Sequence, residues 1–173
     1  MIISDRMQVR KLIEEVNRNI ERTKETVCNL LLEQKPIEGL ASLKFDKTSF
    51  DPLSGEPLNF IEMLNQSFSD LVVLKAVEDL LLRYPGKEFE LNMGALTGYD
   101  IYSVDNEVIA ECFATVTAFN NQKIKKDSEK LTQAEKNAKK YVYFYSREDS
   151  PERIATFAEK YPEITYIRFN DFM

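Results

Sequence analysis

The chain has 173 residues, 43% of them hydrophobic and 30% charged, with a formal net charge of −6 and no histidine. That length fits one domain with a small appendage, and it can bury a core without staples. The lack of histidine excludes Ser-His-Asp and Cys-His catalysis and any histidine-ligated metal, and the negative total argues against a protein that coats nucleic acid.

Cys28 and Cys112 lie far apart and match no zinc spacing, so a reducing cytoplasm is the expected compartment. The start, "MIISDRMQVRKLIEEV", lacks an apolar run of signal-peptide length, and nothing approaches the length of a membrane span.

In chain order, 7–34 reads as a long helix. Val9, Leu12, Ile13, Val16, Ile20, Val27, Leu30 and Leu31 recur at spacings of three and four, Glu14 and Arg18 form a favourable pair, and Pro36 ends it. Residues 35–57 are irregular, with Asp51-Pro52, Ser54-Gly55 and Pro57 as turn signals. This is the expected boundary between a segment 1–57, an N-terminal helix with its linker, and a main domain 58–173.

A second helix covers 59–84, with Ile61, Leu64, Phe68, Leu71, Val72, Val77, Leu80 and Leu81 on one face, and "YPG" stops it. Three strands follow, "FELNM", "GYDIYSV" and "EVIAECFATVTAF", with "GALTG" leading into the second and a turn at Asp105-Asn106 after it. Asn120 or Asn121 can cap a lysine-rich helix. "KKYVYFYS" is a fourth strand, Ser150 caps a helix with Pro151 at its first position, and "EITYIRF" is the fifth strand. The order predicts an α/β fold: a mixed five-stranded sheet with helices on its faces, plus the long N-terminal helix.

Between Gln122 and Lys140 seven lysines face three acids, a local +4 that leaves −10 elsewhere. Such a stripe is either a solvated helix face or a surface for a phosphate backbone.

On the third strand Glu111, Phe113 and Thr115 share one face, and Ala110, Cys112 and Ala114 the other. Pairing about Asp105-Asn106 brings Asp100 near Glu111. Two adjacent carboxylates raise each other's pKa unless a cation intervenes, and with no histidine the natural cation is Mg²⁺, able to polarise a phosphoryl group and activate water. The other reading is a solvent-facing edge hairpin. Ser67, Ser69 and Asp70 offer weaker polar candidates, "GALTG" lacks the spacing of a phosphate loop, and "KKYVYFYS" fits a core strand better than a base-stacking platform.

The order of elements over 59–169, about two thirds of the chain, resembles the PD-(D/E)XK nuclease superfamily, the restriction-endonuclease-like fold, with "GYDIY" and "AECFA" as matching motifs. The resemblance implies Asp100, Glu111 and the carbonyl of Cys112 as Mg²⁺ ligands, with Glu62 from the preceding helix assisting. It also implies a catalytic lysine two residues after the Glu, where this chain has Phe113. In some members the next helix supplies that lysine, which here gives Lys123 or Lys126.

Two functions follow as expectations. One is a Mg²⁺-dependent DNA endonuclease or phosphodiesterase, needing a homodimer or partner for sequence reading. The other is a catalytically inactive interaction protein on the same fold, binding its partner through the N-terminal helix.

Overall fold

The computed structural model describes residues 1–93, 98–119, 122–134, 137–148 and 150–171. Its elements are β1 (Ile2–Ile3), α1 (Arg6–Glu33), α2 (Pro36–Phe45), β2 (Ser49–Phe50), β3 (Pro57–Leu58), α3 (Phe60–Arg83), β4 (Phe89–Leu91), β5 (Ile101–Ser103), β6 (Val108–Thr115), α4 (Lys123–Thr132), β7 (Lys139–Ser146), α5 (Pro151–Lys160) and β8 (Ile164–Phe169). The chain divides into two compact units, Met7–Leu71 and a second made of Met1–Arg6 with Val72–Met173, so the division falls inside α3. Among the described residues no helix is long and apolar enough to cross a membrane.

In the N-terminal unit, the segment expected to be irregular holds a helix and a short hairpin. Pro36 ends α1 and also opens α2, because a proline at the first helical position gives up no hydrogen bond. The β2–β3 hairpin is tied to α1 by two buried polar side chains. Asn19 donates to the Pro52 carbonyl at 3.0 Å, and Thr23 accepts from the Phe50 N–H at 3.1 Å. Gly55, at φ +70°, lets the turn pass close to Asn19. Arg18 reaches Glu15 rather than Glu14. Asn59 caps α3 by accepting the Glu62 N–H at 2.9 Å.

The second unit carries a mixed α/β sheet of order β1-β4-β5-β6-β7-β8. The first three pairings are antiparallel and the last two parallel. It has six strands rather than five because Ile2–Ile3 pairs with Phe89 and Glu90. A two-residue strand carries no periodicity, so local sequence cannot announce it.

Strand alternation gives the sheet two apolar faces. One carries Ile109, Phe113, Val142, Phe144 and Ile164, which pack with Ile124 and Leu131 of α4. Phe113 stacks on Phe144 at 5.4 Å. The other presents Tyr141 and Tyr143 to α3, where Tyr143 donates to Asp79 at 2.6 Å and Tyr141 shares a 2.7 Å hydrogen bond with Tyr84. "KKYVYFYS" is therefore a core strand.

Ser150 precedes α5 but makes no side-chain capping bond; Pro151 alone marks the start. Asn120 and Asn121 lie outside the described residues, as does "GALTG" up to Gly98. The residue at the start of α4 is Gln122, left-handed at φ +55°.

Leu131 is fully buried while Lys126 is exposed on the same helix. Urea unfolding is expected to show Leu131→Ala losing about 2–5 kcal/mol and Lys126→Ala less than about 0.5 kcal/mol.

Candidate active site

Ile101 lies opposite Ala110, and one step further along the pair Asp100 comes opposite Glu111. Opposed residues project to the same face, so the two carboxylates stand together on the side that takes α4. The Cys112 N–H donates to Asp100 Oδ2 at 2.7 Å, fixing the aspartate against β6. The Asn92 side chain donates to the Tyr99 carbonyl at 2.8 Å, and its backbone N–H donates to the Asp100 carbonyl at 2.9 Å. This holds the approach to β5.

Helix α4 supplies the rest. Ile124 and Leu131 anchor it in the core, which aims the neighbouring stripe at the acids. Positions 123, 127 and 130 fall at helical spacings of four and three and form that stripe. Lys123 Nζ donates to Asp127 Oδ1 at 2.9 Å, and Asp127 Oδ2 is buried with no hydrogen-bond partner. Lys130 Nζ donates to the Gly98 carbonyl at 2.5 Å and sits 2.6 Å from Glu111 Oε1. The Lys130 ammonium is thus the counter-charge of Glu111 as well as the partner of the Gly98 carbonyl.

Three acids and two lysines thus share a site in which the Glu111 and Asp127 side chains are 3% and 5% exposed. Burial pushes Glu111 up to about 7, Asp100 adds to the rise, and Lys130 opposes it. Burial also raises Asp100, which the Cys112 N–H and the two lysines pull part of the way back. Burial raises Asp127 against the pull of Lys123. For Lys123 burial works downward, yet Asp127, Asp100 and Glu111 together carry it above its ordinary value.

Of the residues expected from sequence, Asp100, Glu111 and Lys123 come together. Cys112 joins through its backbone N–H; its buried thiol is pushed well above the ordinary value by desolvation. Lys126 does not join: it is exposed, on the solvent side of α4. Glu62 is exposed in the first turn of α3, in the N-terminal unit. Ser67 bonds back to the Met63 carbonyl of its own helix. Phe113, where the resemblance implied a lysine, is buried core. Asp127 and Lys130 were not foreseen, although the pattern 123-127-130 beside the apolar pair 124-131 is legible on a helical projection.

No family model, curated protein or solved structure matches the chain. Among the described residues no group of three or more Cys, Asp or Glu is arranged to hold a metal ion.

Glu111 gives the site a pH signature. Its folded value, about 7, lies above the ordinary 4.5, so between these limits the unfolded chain has released a proton that the folded chain keeps. Stability therefore falls as pH rises through this window, by up to about 1.4 kcal/mol per unit. Urea melts from pH 4.5 to 8 are expected to show this decline in the wild type and a shallower one in Glu111→Gln.

Proposed function

We propose that the protein is a divalent-metal-dependent phosphodiesterase acting on DNA, built on a restriction-endonuclease-like fold. The observation that carries this reading is the placement of half-buried Asp100 and buried Glu111 on one sheet face, with the Lys123 ammonium close by. Two carboxylates fit Mg²⁺, which keeps several of its waters and needs only one or two protein ligands besides substrate phosphate. Glu111 Oε1 already faces a cation, the half-exposed Lys130 ammonium at 2.6 Å, and is an oxygen such an ion can use. When bound, the ion supplies positive charge to a phosphoryl oxygen and acidity to a water.

The chain's own residues do the rest. Asp100 and Glu111 hold the ion, and the Cys112 N–H orients Asp100. Lys123 offers a half-exposed ammonium to the charge that develops on phosphate oxygens, taking the role that Phe113 cannot. Asp127 grips Lys123 at 2.9 Å and limits its rotamers, a positioning role. Sheet and helix exclude water from the base of the site, which strengthens each of these interactions. Lys125 and Lys126, on the outer side of α4, are available to a phosphate backbone.

A second reading is a non-catalytic interaction protein. It is favoured by apolar residues left exposed on the N-terminal unit: Leu32, Ile37, Leu40 and Phe45. Such side chains suit a second copy or another protein.

Cleavage of supercoiled and linear DNA with Mg²⁺ or Mn²⁺ tests the two. Asp100→Asn, Glu111→Gln and Lys123→Met are each expected to lose activity on the order of 10²-fold or more. Lys126→Ala is expected to cleave within about twofold of wild type, a loss of no more than about 0.4 kcal/mol. Wild-type protein inert under all these conditions would leave the second reading.

A further inference from the structure

Lys130 is the residue that the metal reading does not absorb. Its side chain runs from the last turn of α4 across the site, 5.3 Å over the Tyr99 ring, to place Nζ 2.6 Å from Glu111 Oε1 and 2.5 Å from the Gly98 carbonyl. An ammonium between a carboxylate and a carbonyl oxygen sits in the kind of all-oxygen surroundings that a hard cation requires. Lys123 is differently placed, because it has Asp127 as its own partner and the Phe113 ring at 5.9 Å.

We propose that the Lys130 ammonium is a built-in counter-ion that occupies the cation position beside Glu111 and must swing out before a divalent ion can enter. The proposal rests on Asp100 and Glu111 being metal ligands. The exposures of the two partners allow such a movement: the Lys130 side chain is 42% exposed and that of Glu111 only 3%. Lysine can therefore retreat into water while the glutamate stays.

The arrangement has two consequences. The site tolerates a buried glutamate beside a second carboxylate when no ion is present, because the ammonium offsets part of the repulsion. Metal affinity is also lowered by the fraction of time the lysine is in place, since an ion meets a competent site only when Lys130 is out.

The experiment is a Mn²⁺ titration followed by electron paramagnetic resonance, which reports free Mn²⁺ independently of catalysis. It compares wild type, Lys130→Met, Lys123→Met and the double variant Lys130→Met with Asp100→Asn. Methionine keeps the unbranched stem over Tyr99 and removes the charge; Lys130→Gln repeats the test should the methionine variant not fold. If Lys130 is in place nine-tenths of the time, Lys130→Met binds Mn²⁺ about tenfold more tightly. Lys123→Met shows no comparable gain, and the double variant loses the gain. Equal or weaker binding by Lys130→Met and Lys130→Gln, with binding lost in the double variant, would overturn the counter-ion role and leave the metal site standing. Absence of Mn²⁺ binding in every protein would overturn both.

Discussion

The register between β5 and β6 is the constraint on which the site depends. Ile101 opposite Ala110 sets Asp100 against Glu111. Because side chains alternate with a period of two, a slip of one residue would send one carboxylate to the α3 side of the sheet and leave the other alone. Several features fix the register. Buried Ile101, Ile109 and Ala110 admit no polar substitute from a neighbouring position. Asp105 ties the turn by accepting from the Ser103 hydroxyl at 2.6 Å and the Glu107 N–H at 3.1 Å. Lys87 binds both Asp105 and Glu107 from outside. The turn, far from the acids, thereby decides where they meet.

Gathering three acids in a partly dry pocket works against folding. Desolvation is the largest influence on Asp100, Glu111 and Asp127 alike, and it favours their neutral forms. The lysines offset this only in part, since pairing buried charges rarely recovers the full cost of removing them from water. The apolar contacts of Ile124, Leu131, Phe113 and Phe144 hold α4 against the sheet regardless of how the acids are charged. The hydrophobic layer supplies the stability, and the polar layer beside it gathers the charged groups. Phe113 shows the division most clearly: placed where the resemblance implied a lysine, it fills the core, while Lys123 stands on the adjoining helix.

The long periodic elements were legible in the sequence. The helix expected over 59–84 is α3, Phe60–Arg83, and the fourth and fifth strands fall at β7 and β8 almost to the residue. What local pattern could not reveal was β1, two residues joined to a strand far along the chain, and α2, whose opening proline read only as the end of α1. In the site, Asp100 and Glu111 were visible because acids are out of place in an apolar hairpin. Asp127 and Lys130 were hidden within a run of charge that composition alone cannot resolve into a buried and a solvated face. Lys126 and Lys123 looked alike as letters, and only the phase set by Ile124 and Leu131 separates them.

The claim that Asp100 and Glu111 converge on a single divalent ion is tested most directly by anomalous diffraction at the manganese edge from crystals of the protein soaked in Mn²⁺. The account predicts one strong peak between the two carboxylates, with the Lys130 amine moved away from Glu111. A map with no peak there, and Lys130 still against Glu111 at saturating Mn²⁺, would contradict it.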